Sequence, residues 1–530
     1  MIKTTYRLIL MLCLFTLTEM AIAKPEAEFK KISKAWTLHA DGSQEYRHSM
    51  ELTLFTHTAM NSTYGESFIV YNPEFQELKI HSSYTKQKDG TIVKTPDNAF
   101  VEVLPSFAAN APAYNHLKEM VVVHTGLELG ATIFLDYSII TKAGFYPALD
   151  INEQLQETSP VNLLELSISL PDNSPISWQL IGCDAKATEK KENGSKLLTW
   201  RLKGLKASSR EFFQPKNSDA ARLLASSHKS CDEAILYLAN RLKSSVSYES
   251  KTFGPFISEK GKSESEKSDI ILNHVVNNMD YSAVPLRYTG FSIRDIDTSL
   301  RSAYGTLLEK SQLLSVMLNA SGIKSEVVAI YPANANVEAC GLSAIKDFAI
   351  MANIDGEKRF LSATSLSSNI TYRGNLDRLM TLDGKVIDVK PRQLVIKESK
   401  SIDLSDTKAE NGHIILELPV ISKGIDSWGM NTLSSQREGL FEIPASLIEE
   451  IKYNVKVKAG IKLLSSTDER VINTPFGRFQ QRITPKGDEI ELVRYIEINK
   501  IQFTPSEYKQ IRSLINEWIS SDNMVILFSE

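Results

Sequence analysis

Apolar and polar residues alternate through much of the first third of the chain. From Tyr46 to Phe55, the side chains of His48, Met50, Leu52 and Leu54 fall on one side at a two-residue period. That is the mark of a strand with one face turned to a core. Leu78, Ile80, Ser82 and Tyr84 continue the style, and Asp89-Gly90 is a hairpin turn ahead of Thr91-Ile92-Val93. Further strands are predicted at Met120 to His124, Thr132 to Thr141, Val161 to Leu170 and Lys196 to Leu202. Many short strands with turn residues between them predict a β-sandwich over 24–205. His48 and His57 lie in or near these strands and read as surface or half-buried positions.

From residue 206 the period becomes helical. Ser230 followed by Glu233 is a capping-box pattern, and Ile235, Leu238 and Leu242 then share one face. The polar stretch Ser258 to Lys267 is a solvated loop or helix start, and Ile270 to Met279 is the next helix. Thr306 to Ala320 is apolar nearly all round, predicting a buried helix that Gly322 can close. Strands follow at Glu326 to Tyr331, Phe348 to Ile354 and Arg359 to Leu361, so 206–375 reads as an α+β core. The remainder, 376–530, returns to β and ends in a helix. Its start is signalled by Thr504, Pro505 and Glu507, its buried stripe by Tyr508, Ile511, Ile515 and Trp518, and a last strand spans Met524 to Phe528.

The extreme N-terminus reads as an address. Lys3 and Arg7 precede an apolar run from Leu8 to Leu17, and Ala21-Ile22-Ala23 is a small-x-small cleavage site. Residues 1–23 are therefore expected to be a Sec-type signal peptide, with export to the periplasm or beyond. Cys13 lies inside the apolar run, without the small residues that precede a lipidated cysteine. Beyond this segment no apolar run is long enough to span a bilayer. The 530 residues carry 60 Lys plus Arg against 64 Asp plus Glu, a net charge of −4 that argues against a nucleic-acid partner. Cys183, Cys231 and Cys340 allow at most one disulfide, and no Cys-x-x-Cys or Cys/His spacing predicts zinc. Asp295 and Asp297, in Arg294-Asp295-Ile296-Asp297, fall short of a cation motif. No metal and no cofactor is expected.

The middle of the chain carries the chemistry worth weighing. Tyr304-Gly305, Glu309-Lys310, Leu313-Leu314, Gly322-Ile323 and Phe360-Leu361-Ser362-Ala363-Thr364 fall in the register of a transglutaminase-like core, a papain-like thiol fold. The chain resembles a family of secreted bacterial proteins that join an N-terminal β-sandwich to such a core. The fold class is then multidomain α+β: N-terminal β-sandwich, central transglutaminase-like core, C-terminal β-rich domain ending in a helix. In active relatives a thiol at a helix N-terminus is favoured as thiolate by the helix dipole, and a histidine and a carboxylate complete the set. The resemblance puts the nucleophile at Leu307, the base at Asp347 and the orienting carboxylate at Ser362, so all three are replaced. No histidine occurs between His274 and His413. Fallback nucleophiles are Cys340, which lies away from the helix start, and Ser311, for which Asp347 or Lys310 would have to serve as base.

The resemblance thus implies an exported pseudoenzyme, a binding or scaffold module for a peptide, a protein or a glycan. The vestigial groove would be lined by Arg287, Tyr288, Leu307, Asp347 and Ser362, unless it has closed by packing. The alternative is a peptidase, amidase or transglutaminase with a relocated nucleophile. A carbohydrate-binding β-module is a third reading, with Tyr71, Phe75, Phe107 and Tyr114 as the aromatics on offer.

Overall fold

The computed structural model describes residues 25–215, 220–243, 261–431 and 433–529. The leader expected over 1–23 lies outside the described residues, as do positions 258–260 of the polar stretch before the second helix.

The N-terminal part is built on an eight-stranded sheet. Its order is Thr188–Glu192, Ser195–Leu205, Val161–Pro171, Ala27–Leu38, Gln44–Leu54, Thr132–Thr141, Gln76–Lys86, Ile92–Lys94. Ala27–Leu38 and Val161–Pro171 are the parallel neighbours. Register sets Ile32 opposite Met50 and Met50 opposite Leu135, so these side chains share the face that alternation predicted for Met50. The reverse face carries ion pairs such as Lys31–Glu165 and Arg47–Asp136, both at 2.7 Å and water-exposed on one partner. Two three-stranded sheets pack on the inward face. One orders Ser177–Ile181, Arg222–Ser226, Asp150–Gln154; the other orders Glu66–Tyr71, Lys118–Val123, Phe100–Val103. Arg222–Ser226 thus joins the sandwich from beyond residue 205.

The central unit places one helix against an antiparallel sheet. Helix α1 (Cys231–Lys243) starts at the predicted Ser230 cap, with the Glu233 carboxylate returning to the Lys229 N–H at 2.6 Å. Helix α2 (Glu264–Asn277) begins at Ser263, whose capping box with Glu266 starts it earlier than the apolar periodicity alone implied. After α3 (Ile296–Ser302), helix α4 (Leu307–Ala320) runs buried between α2, α3 and the sheet. Gly322, at φ +90°, closes α4: Ile323 N–H reaches Leu318 O at 2.9 Å and Gly322 N–H reaches Asn319 O at 3.1 Å. A left-handed residue with these two bonds is the Schellman stop, which a side chain at 322 would strain. The sheet orders Glu357–Leu361, Asp347–Ile354, Ser325–Pro332, Asp377–Thr381, Val386–Ile387. Leu308, Leu313 and Leu314 are fully buried, each worth roughly 1.5–3 kcal/mol of apolar transfer.

The C-terminal part pairs a five-stranded sheet (Leu394–Asp403, Leu447–Lys456, Glu489–Ile498, Gly477–Lys486, Arg470–Thr474) with a three-stranded one (His413–Glu417, Val525–Ser529, Lys462–Leu463). Helix α5 (Pro505–Ile519) has the predicted capping box, first-turn proline and buried stripe of Tyr508, Ile511, Ile515 and Trp518. The protein is therefore multidomain and β-rich with a C-terminal helix. No helix among the described residues is long and apolar enough to cross a membrane.

Candidate functional site

The start of α4 is fixed by a buried carboxylate. Thr306 caps the helix, and Glu309 accepts the Thr306 N–H at 2.8 Å. Glu309 also accepts the Tyr114 O–H at 2.6 Å, the Arg294 backbone N–H at 2.9 Å, and two guanidinium N–H bonds at 3.1 and 3.0 Å. Its side chain is wholly buried. Burial alone would raise its pKa, but the Arg294 and Tyr114 bonds prevail and hold the carboxyl below the ordinary range. Because Tyr114 belongs to the N-terminal part, one carboxylate sets both the helix start and the seating of the two domains.

A second lock lies nearby. Asp150, from the small sheet of the sandwich, accepts the Ser343 backbone N–H at 2.9 Å and the Ser343 hydroxyl. Asn152 donates to Ser343 O at 2.6 Å. A Cβ on Gly341 would come within 2.3 Å of the Asp150 carboxyl, so only glycine lets the 340–344 loop approach so closely. Gly341→Ala is expected to cost about 1–3 kcal/mol and to speed tryptic cleavage between the sandwich and the core under native conditions. Cleavage at the wild-type rate would remove the lock's role.

Between these two fastenings a cleft of about 740 Å³ stays open. Leu307, the first residue of α4, stands half-buried in its wall together with Leu308, Leu342, Ile345 and Phe348. Trp36, Tyr46 and Tyr137 of the large sheet line the opposite side, and Arg287 and Tyr288 line it from the loop ahead of α3. Tyr46 donates to or accepts from His48 Nδ1 at 3.2 Å, and the His48 ring stacks on Tyr137 at 5.3 Å. Burial pushes the imidazole down to about 3, so His48 is neutral. Beneath them, buried Lys34 is paired with Glu153 at 2.6 Å and Glu157 at 3.1 Å.

Four of the five predicted groove residues, Arg287, Tyr288, Leu307 and Asp347, therefore meet around one cavity. Asp347 opens its strand with an exposed carboxylate that accepts the Phe348 N–H at 2.8 Å. Ser362 is the exception. It sits in the turn after strand Glu357–Leu361, where its hydroxyl accepts the Thr364 N–H at 3.3 Å, and it does not line the cleft. Neither fallback nucleophile fits its role. Cys340 is fully buried; its contact with Cys231 and its burial push the thiol well above the usual range, whereas a nucleophile needs the thiolate favoured. Cys183, Cys231 and Cys340 are all free thiols. Ser311 is fully buried too, and its hydroxyl is spent on Leu307 O one turn back at 2.7 Å. Burial lowers the Lys310 ammonium to about 8, but it donates to Met279 O at 2.7 Å rather than to a serine.

Asp295 is the N-cap of α3, accepting the Thr298 N–H at 2.8 Å. Among the described residues no group of three or more His, Cys, Asp and Glu is arranged to hold a metal ion. The sandwich side of the cleft escaped sequence reasoning, although a signal existed. Tyr46 and His48 share the inward face of their strand with core residues Leu52 and Leu54, and aromatic, hydrogen-bonding groups there point to a cavity rather than a sealed core.

The N-terminal region, residues 40–209, matches the family DUF3857, and residues 412–528 match DUF3858; both are domains of unknown function with solved structures. No curated protein sequence matches the chain. A crystal structure from Parabacteroides distasonis superposes with a TM-score of 0.88 at 59% identity, over 95% of this chain and 99% of that one; it carries the description "putative protease". A "putative cysteine protease" from Cytophaga hutchinsonii overlaps 41% of this chain and 75% of its own at 12% identity and a TM-score of 0.19. An M1 zinc metallopeptidase from Deinococcus radiodurans overlaps 38% of this chain and 42% of its own at 10% identity and 0.21. Overlaps that slight carry no argument.

Proposed function

The chain belongs to the same family as the Parabacteroides distasonis protein, and from that premise we propose that it is an exported, non-catalytic binding module built on a degenerate transglutaminase-like core. The supporting observation is the cleft itself. It is open at the N-terminus of α4, where a thiol would act in an active relative, yet Leu307 occupies that place and, among the described residues, neither cysteine nor histidine lines the cavity. Leucine has no ionisable group for the helix dipole to tune. The buried helix packed on an antiparallel sheet supports the core assignment, and the leader-like Lys3 to Ala23 supports export. What remains is an open, partly aromatic cleft with a few fixed polar groups, the usual make-up of a recognition site.

The relative's description favours a second reading, a hydrolase with a relocated nucleophile. The burial of Cys340 and the helix-bonded hydroxyl of Ser311 weigh against it. Treatment of the native mature chain with a fluorophosphonate and with a chloroacetamide probe, followed by peptide mapping, is expected to give no stoichiometric labelling at Ser311, Ser343 or Cys340. Complete modification of any one of them in the folded protein would overturn the non-catalytic reading.

A further inference from the structure

Resting on the binding reading above, we propose that the cleft selects an acidic peptide, with Arg287 receiving a carboxylate and the Leu307 wall taking a neighbouring apolar side chain. Arg287 lines the cleft and stays open to water. Its guanidinium donates to the Tyr288 hydroxyl at 2.8 Å and lies 4.8 Å from that ring. Of its five N–H donors this bond uses one, and among the described residues no ion pair engages the rest. Such a planar fork held on an aromatic face suits bidentate capture of a carboxylate.

Four acids line the cleft, and of these Glu153 bears on the Arg287 charge through space, though each already accepts hydrogen bonds. Glu153 is held by Lys34 at 2.6 Å, Glu45 accepts the Ser138 hydroxyl at 2.6 Å, and Asp150 is bonded to the Ser343 N–H and hydroxyl. Asp347 belongs to the core's edge of the cavity and accepts its neighbour's N–H. Around Arg287, the sandwich contributes Tyr46, Tyr137 and Tyr146 to the same lining. The Arg287 guanidinium and tyrosine hydroxyls of this lining can donate to an anionic oxygen. Opposite it, the Leu307, Ile345 and Phe348 wall is apolar. An acidic sugar has no large apolar branch to place there, whereas a peptide can set a leucine-like side chain beside an aspartate or glutamate.

The test is fluorescence anisotropy of the mature full-length chain with a labelled hexapeptide of alternating Glu and Leu, its Gln-for-Glu isostere, and an oligogalacturonate. The Glu peptide is expected to bind about tenfold or more tighter than the Gln peptide, the worth of a charge-assisted bond. Its advantage should shrink with salt. Arg287→Met should erase the preference and Arg287→Lys should keep part of it, with melting unchanged because Arg287 makes no ion pair among the described residues. Leu307→Trp, which fills the wall, should weaken both peptides. Ile345→Trp replaces it if the first variant does not melt like wild type. Equal binding of Glu and Gln peptides that the tryptophan abolishes overturns the Arg287 assignment and leaves the cleft reading standing. Binding that ignores the tryptophan, or no binding of either peptide, overturns both. Tighter capture of the oligogalacturonate overturns the peptide as occupant.

Discussion

Replacing Glu309 with alanine is expected to lower the stability of the sandwich and core together by about 3–5 kcal/mol, the usual result of leaving a buried guanidinium without its partner. Arg294 is only 12% exposed and cannot turn to water without dismantling its stack on Tyr304, where the guanidinium lies 4.1 Å from the ring. The variant also loses the reciprocal cap at Thr306, a further contribution of about 1 kcal/mol. Two controls separate these parts. Glu309→Gln keeps an acceptor oxygen but no charge, and should fall between alanine and wild type. Tyr114→Phe removes one hydrogen bond and should cost about 1 kcal/mol. The sign of the pH effect follows from the lowered pKa of Glu309. A carboxyl whose folded pKa lies below its unfolded value near 4.5 contributes its stability above that value and loses it as pH falls through the folded pKa. Wild type should therefore lose more stability than Glu309→Gln on acidification below pH 4.5. Urea unfolding followed by tryptophan fluorescence measures both. A cost under 1 kcal/mol for the alanine variant would mean that the two domains are seated by something else.

Parts of this arrangement were legible in the chain because they obey local rules. Ser230 with Glu233, Thr504 with Pro505 and Glu507, and Gly322 after a run of apolar residues each act within one helix turn, and each marks a real helix end. The strand face over Tyr46 to Phe55 followed from alternation for the same reason, and the strand at Thr132 to Thr141 lies where it was predicted. What the residues did not disclose is non-local. Arg222–Ser226 lies between a strand-rich and a helix-rich stretch, and only its pairing with Asp150–Gln154 ties it to the sandwich. Tyr46 and Tyr137 become neighbours of Leu307 only when the sandwich docks on the core. Ser362 illustrates the converse: the resemblance put it at the groove, but its hydroxyl accepts the Thr364 N–H in the turn after its strand and it does not line the cleft. Local propensity places elements, while docking between domains makes the site. The two fastenings at Glu309 and Asp150 are accordingly what hold the cavity open. Both are carboxylates presented across the junction, so the cleft's shape and the interdomain contact are one structural fact.

The C-terminal domain should respond to pH in the opposite sense, through Glu449. This side chain is wholly buried in strand Leu447–Lys456. One oxygen accepts the Ile425 N–H at 3.2 Å, while the other has no hydrogen-bond partner among the described residues. The turn at Gly424, at φ +54°, presses so close that a Cβ there would fall 2.1 Å from the carboxylate. The charge of buried Arg494 offsets only part of this carboxylate's burial, because its N–H groups go to Gln481 at 3.1 Å, to the Met524 sulfur at 2.6 Å and to Trp518 O rather than to Glu449. Burial pushes the carboxyl up to about 7, with the neighbouring Asp426 charge adding to the rise. A group whose folded pKa exceeds its unfolded value near 4.5 stabilises the fold fully below 4.5 and loses that contribution as pH climbs through 7. The domain should thus lose on the order of 3 kcal/mol between pH 4.5 and 8 from this residue alone. Glu449→Gln keeps the acceptor for Ile425 without the charge. It should melt several degrees higher than wild type at pH 8, and no higher at pH 4.5. Calorimetry of the full chain at both pH values, following the transition that carries the Trp518 near-ultraviolet signal, checks the claim. A wild-type transition independent of pH across that window would show that Glu449 reaches water or an unseen partner in the folded state. The charge would then be tolerated at neutral pH without cost, and the close Gly424 turn would need another explanation.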